Sequence, residues 1–126
     1  GHKEAVACRA IPHAVFTSPQ ITSVGLTEEL AIRLDIDFVF TTYDYIDTAY
    51  GSSIEDRDGS VKVLAHPETR EVLGCHIIGT DASILIQEAA NAMRKGLATD
   101  EITQAIYVRP TLPEVLQRAL ANLKFR

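Results

Sequence analysis

Apolar positions along this chain recur with a period of two in some stretches and at helical spacing in others. Ile21 to Leu26 reads as a short strand. Thr27-Glu28-Glu29 then opens a short helix through Leu34, with Thr27 as its cap and two acids at the positive helix start. Asp37 to Tyr43 is rich in Phe, Val, Thr and Tyr, which suit a pleated, half-buried surface. Tyr43 and Tyr45 alternate along this strand and are expected to pack or to line an interface. Residues 44–59 hold Gly51-Ser52-Ser53 and the charged turn Glu55 to Gly59, and read as a connection. Asp58-Gly59 leads into a strand from Ser60 to Ala65, and Glu71 to Gly79 forms the next one. The loop between them, Pro67-Glu68-Thr69-Arg70, is so short that the two strands must pair antiparallel.

Three helices follow. Asp81 precedes one whose apolar set is Ala82, Leu85, Ile86, Ala89, Ala90 and Met93, and Gly96 ends it. Thr99-Asp100-Glu101 starts a short helix, after which Tyr107-Val108 lead extended into Arg109-Pro110. In the last helix Leu112, Val115, Leu116, Ala119, Leu120 and Leu123 form one stripe. Thr111 reads as its N-cap, Glu114 stands in capping-box position, and Pro113 falls in the first turn where a missing N–H costs little. The sum is an α+β domain, with an antiparallel sheet of about four or five strands and helices packed on one face. Neither an alternating βαβ pattern nor a G-x-G-x-x-G occurs, so this chain is not expected to bind a dinucleotide itself.

Composition narrows the class. A chain of 126 residues that is 46% hydrophobic suits one domain with a real core. A formal net charge of −5, with no basic stripe, argues against nucleic acid as a partner. No apolar run approaches membrane-spanning length and no charged-then-apolar leader opens the chain, so no membrane association is expected. Gly1-His2 looks like a cloning remnant. Residues 1–9 are therefore read as remnant and lead-in, and residues 10–126 as a single domain of a longer protein. Cys8 and Cys75 are far apart and form no C-x-x-C or C-x₄-C pair, so this segment carries no catalytic dithiol. Cys75 reads as a buried small hydrophobe, and two unpaired cysteines suit a reducing cytoplasm.

The four histidines suggest no metal site. His13 lies in the lead-in to the first strand, His66 beside a turn proline, and His76 among apolar neighbours on a strand. For His76 a satisfied, partly buried imidazole is the expected state. No H-x-x-x-H, C-x-x-C or carboxylate cluster points to zinc.

Three blocks of sequence carry a resemblance. Ile11-Pro12-His13-Ala14-Val15-Phe16-Thr17-Ser18-Pro19-Gln20-Ile21-Thr22-Ser23-Val24-Gly25-Leu26-Thr27-Glu28 resembles the opening of the C-terminal dimerisation domain of flavin-dependent pyridine nucleotide-disulfide oxidoreductases. That family includes dihydrolipoamide dehydrogenase, glutathione reductase and mercuric reductase. Leu73 to Gly79 resembles the family's strand that ends in a glycine before the long helix. Arg109-Pro110-Thr111-Leu112-Pro113-Glu114 resembles its His-Pro-Thr-x-x-Glu signature. The resemblance implies a homodimer, with FAD and NAD(P)H held by upstream domains of the same chain and no cofactor in this segment. It also implies a role for the C-terminal motif in the partner subunit's active site. There the family's histidine is the acid–base for thiol chemistry, because imidazole titrates near working pH, and the glutamate orients it.

The sequence departs from the pattern at that histidine. Arg109 stands in its place, while Pro110, Thr111 and Glu114 match. A guanidinium stays protonated at neutral pH and cannot shuttle protons. Three readings of Arg109 stay open: a partner for Glu114, a fixed cation facing the partner's flavin pocket that holds an anion or a thiolate, or a solvent-facing arginine. A nearby cation lowers a thiol's pKa without any proton relay. Tyr107 could border the flavin cleft, although a core or interface role is the simpler reading.

Arg109 and Glu114 are thus the candidate site residues, and the leading function is the interface domain of a dihydrolipoamide dehydrogenase-like reductase. A non-enzymatic assembly module, or a flavoenzyme reducing a quinone, dioxygen or another non-disulfide acceptor, is the alternative. The tail Asn122-Leu123-Lys124-Phe125-Arg126 holds no cysteine, which counts against mercury reduction.

Overall fold

The computed structural model describes residues 11–125. Gly1, His2, Cys8 and the rest of the 1–9 lead-in lie outside them. Five strands, β1 (His13–Val15), β2 (Gln20–Gly25), β3 (Val39–Asp44), β4 (Ser60–Ala65) and β5 (Val72–Gly79), form one sheet in the order β1-β2-β5-β4-β3. Every neighbouring pair is antiparallel. The register sets Val24, Cys75 and Val63 in one cross-strand row and Thr22, Ile77 and Val61 in the next, and all six are buried. Because side chains alternate between faces, the intervening Ser23, His76 and Lys62 point to the opposite side.

The helices are α1 (Glu28–Arg33), α2 (Ala49–Ser53), α3 (Ala82–Arg94), α4 (Thr99–Thr103) and α5 (Pro113–Ala121). The stripe read for α3 is the buried one, from Ala82 through Met93, and α3 packs on β2 and β5. Its partner α5 lays Val115, Leu116, Ala119 and Leu120 against β3 and β4. Together they cover one face of the sheet with a continuous apolar core, which is the α+β architecture that the periodicity indicates. Gly96 closes α3 with φ +64°, a conformation that costs glycine little. Thr27 caps α1 by accepting from the Leu30 N–H at 3.1 Å. The turn into α1 lies over the opposite face of the sheet. His76 Nε2 reaches the Leu26 carbonyl at 2.8 Å, and Lys62 pairs with Glu28.

Three local readings are corrected. β1 is a strand rather than a lead-in; all three of its residues are exposed on a sheet edge, so no burial pattern marks it in the sequence. Residues 44–59 are more than a connection. They hold a 3₁₀ turn (Tyr45–Asp47) and then α2, for which Thr48 is the cap. The Thr48 hydroxyl accepts from the Gly51 N–H at 3.1 Å and donates to the Tyr45 carbonyl at 2.7 Å. Tyr45 therefore leaves the strand and begins the turn, fully buried, while Tyr43 stays half-buried on β3.

Asp56 holds this irregular stretch together. Its carboxylate accepts from the Gly59 N–H at 2.7 Å, the Thr80 N–H at 2.9 Å and the Thr80 hydroxyl at 2.8 Å. Burial pushes the carboxyl up, but bonds from Thr80, Gly59 and Asp58 outweigh it, and the group titrates below its ordinary value. Asp56→Ala should therefore cost about 1–3 kcal/mol near neutral pH. A depressed folded value means that this stability is complete above the unfolded pKa of about 3.9 and is lost as pH falls through the lower, folded one. Denaturant titrations at several pH values should show the gap between variant and parent narrowing below about pH 4. A gap that stayed constant down to strong acid would remove the carboxylate's charge from the account.

Candidate functional site

The C-terminal motif is carried by the stretch between α4 and α5, residues 104–112, which has no regular secondary structure. Arg109 stands exposed in this stretch, and the Arg109–Pro110 peptide is cis. Glu114 lies in the first turn of α5 and is only 5% exposed. Among the described residues its Oε1 has no hydrogen-bond partner. A buried carboxylate oxygen without a donor is costly, which makes it a natural acceptor for a group arriving from elsewhere. The described residues contain no ion pair between Arg109 and Glu114. The two site residues stand five positions apart in sequence, and no direct charge contact joins them among the described residues.

The cap of α5 also differs from the sequence reading. Leu112, with helical φ and ψ, takes the N-cap position and makes no side-chain cap bond. The Thr111 hydroxyl is already committed to the Val108 carbonyl at 2.6 Å, so it does not cap, and Glu114 is turned into the protein instead of back along the chain. Pro113 does sit in the first turn, where its missing N–H is harmless.

Tyr107 is tied down where Arg109 is not. Its hydroxyl donates to Glu88 Oε1 on α3, with a longer contact to the Ile102 carbonyl at 3.4 Å. Burial, then the Glu88 bond and charge, hold that hydroxyl above the ordinary phenol range, so it stays a donor at neutral pH. On either side, Ile106 is fully exposed and Val108 is 76% exposed. Beneath the segment an open groove of about 1070 Å³ runs between α3 and α4, with Ala92, Leu97 and Ile102 on its apolar side and Arg94, Lys95 and Glu101 at its charged margin. The sequence reading missed Glu88. Nothing local in the sequence links it to Tyr107 nineteen residues on.

The other candidate groups are structural. Cys75 is fully buried on β5, and burial, followed by the Glu88 charge, pushes its thiol up to about 12. Such a thiol is a packing residue, not a nucleophile. His76 is satisfied as read: Nδ1 meets Ser23 Oγ at 2.9 Å and Nε2 meets the Leu26 carbonyl at 2.8 Å. His66 Nδ1 accepts from the N–H groups of Glu68 and Thr69, at 3.2 and 3.3 Å, and so shapes its turn. His13 lies exposed on β1. Among the described residues no three His, Cys, Asp or Glu side chains gather where they could hold a metal ion. No helix among these residues is long and apolar enough to cross a membrane.

The profile of the pyridine nucleotide-disulphide oxidoreductase dimerisation domain matches residues 11–120. The chain belongs to that family. Mycothione reductase of Mycobacterium tuberculosis is 44% identical over 117 residues, covering 92% of this chain and 26% of that protein. Dihydrolipoyl dehydrogenase of Synechocystis is 42% identical over 123 residues, covering 94% of this chain and 26% of that protein. In three dimensions the domain superimposes on LpdA of Mycobacterium tuberculosis with a TM-score of 0.85 at 26% identity, over 90% of this chain and 25% of that one. The chain thus spans about a quarter of the length of the relatives that it matches.

Proposed function

We propose that this chain is the homodimeric interface domain of an FAD-dependent, NAD(P)H-using reductase of the dihydrolipoamide dehydrogenase kind. In that reading it presents the Arg109–Glu114 motif to the partner subunit's active site. The observation that carries the reading is the motif's surroundings. Arg109 is exposed between a protruding apolar pair, Ile106 and Val108, and the buried Glu114, whose Oε1 has no hydrogen-bond partner among the described residues. Apolar side chains that protrude beside a charge are what a partner surface covers.

In this reading the domain itself holds neither FAD nor NAD(P)H, and three of its described glycines support that. Gly59 and Gly79 face the Tyr45 ring and Gly51 the Tyr45 carbonyl, so these glycines are closed by protein and cannot cradle phosphates. In the proposed reading both cofactors sit in upstream domains of the parent. What this domain supplies is a fixed positive charge at the family's histidine position. There it favours an anionic substrate or a partner thiolate but moves no proton. Because a guanidinium supplies no acid–base at neutral pH, a flavoenzyme with a quinone, dioxygen or another non-disulfide acceptor is the second reading. An assembly module without chemistry is the third.

Purified full-length parent decides among them. Bound FAD with NAD(P)H oxidation driven by a low-molecular-weight disulfide supports the first reading, the same oxidation driven only by quinone or dioxygen supports the second, and no bound flavin leaves the third. Dimerisation is testable on the 126-residue chain itself. Sedimentation should give a dimer at micromolar concentration, and Ile106→Asp should weaken it at least about tenfold, since a charge placed in an apolar contact costs more than 1.4 kcal/mol. The variant should fold normally, because the Ile106 side chain touches water in the single chain. A wild-type monomer at high micromolar concentration would count against the interface role.

A further inference from the structure

Residues 104–112 have no helix or strand to hold them, yet they present Arg109. At the far end Leu112 is buried, and Gln117 Nε2 on α5 ties back to the Thr103 carbonyl at 3.0 Å. The bond from Thr111 to Val108 lies inside the segment, so it shapes the turn without anchoring it. Among the described residues, a single side-chain hydrogen bond joins the middle of the segment to the long helix, that of the Tyr107 hydroxyl to Glu88.

We propose that Tyr107 is a positioning residue, whose hydrogen bond to Glu88 fixes where Arg109 is presented; this rests on reading Arg109 as the site's working charge. The geometry supports it in three ways. The acceptor is a carboxylate on α3, the helix packed on both β2 and β5, so the bond is charge-assisted and ties the segment to the core layer. Tyr107 lies half-buried between two exposed neighbours, Ile106 and Val108, which give the segment little hold of their own. Arg109 follows Tyr107 by two residues, close enough for a loss of anchorage at one to become motion at the other.

The simpler account is that the Tyr107 ring packs against the groove wall and its hydroxyl is incidental. Nuclear magnetic resonance relaxation on the ¹⁵N-labelled chain separates the two, using Tyr107→Phe, Glu88→Ala and Glu88→Gln. In the unaltered chain, backbone order parameters at residues 105–109 should be close to the rigid value of about 0.85. In Tyr107→Phe and Glu88→Ala they should fall below about 0.6, while those of β4 and β5 stay unchanged. The Arg109 Nε–H signal should sharpen and move toward the position of an unstructured arginine. Glu88→Gln, which keeps an acceptor oxygen, should retain most of the order. Order in Tyr107→Phe equal to the parent overturns the proposal in favour of ring packing. Equal loosening of sheet and segment overturns it in favour of general stability, and a Glu88→Gln chain as loose as Glu88→Ala removes the hydrogen bond from the explanation. No readout involves catalysis, so a parent with different chemistry would refute the role of Arg109 without altering these results.

Discussion

Tyr45→Ala is expected to be the most destabilising single truncation in the domain, costing about 3–5 kcal/mol as large aromatic-to-alanine changes in cores do. The ring is fully buried at the point where β3 turns away from the sheet. Gly59 and Gly79 both approach it closely: a Cβ built on Gly59 would stand 2.6 Å from the ring, and one on Gly79 2.9 Å. Two side-chain-free positions therefore form the slot that the ring fills, and neither glycine has a side chain to move into the space that the ring would leave. The hydroxyl is also engaged, donating to the Thr80 carbonyl at 3.0 Å. Burial, with the Asp56 and Asp81 charges, holds it above the ordinary phenol range, so it remains a donor. Tyr45→Phe keeps the packing and loses one bond, a cost of about 1 kcal/mol. Urea unfolding of the two variants separates packing from hydrogen bonding. An alanine variant that lost less than about 2 kcal/mol at unchanged denaturant dependence would mean that the slot collapses.

Tyr45 also marks the limit of what the sequence made legible. β4, β5 and α3 could be read because their signals are local and periodic: Val61 and Val63 alternate, and Leu85, Ile86, Ala89 and Met93 recur at helical spacing. His76 could be read because a polar group between apolar neighbours on a strand must find partners, and it found Ser23 and Leu26. Alternation alone sets Tyr45 on the strand before it, because its burial depends on Gly59 and Gly79, which only the folded chain brings to it. The candidate site shows the same division. Helix α5 and its apolar stripe were plain, but the cap was not, since Thr111 had a competing acceptor in Val108. Glu114 was placed at the helix mouth by spacing, whereas its burial follows from how α5 docks on β3 and β4. The Tyr107–Glu88 bond joins separate elements with no sequence pattern between them, and so left no signal at all.

The departure from the family motif leads to the sharpest functional prediction. In a full-length parent that carries a redox cysteine pair upstream, Arg109→His should raise dithiol turnover about 10-fold to 100-fold by restoring a titratable acid–base. The acceptor that such an imidazole needs is already present, because Glu114 Oε1 lies buried without a partner among the described residues. An imidazole that donates one N–H to this oxygen keeps its other nitrogen for the thiol, the arrangement by which a carboxylate fixes a histidine's tautomer. The gain should come with a new limb in the pH profile. The base must be neutral to accept a proton, so activity should rise with pH through about 6.5, shifted upward by whatever the Glu114 charge contributes. The unaltered enzyme should lack that limb, since a guanidinium does not titrate there. Arg109→Ala provides the control. It should leave the dimer largely intact and weaken anionic substrates, without adding the limb. Adding Glu114→Gln to Arg109→His should take back most of the gain, because the histidine then loses the charge that stabilises its protonated form. Unchanged turnover and an unchanged pH profile in Arg109→His would show that the arginine had not displaced a working base, and that the chemistry of this site must be sought in a fixed charge alone.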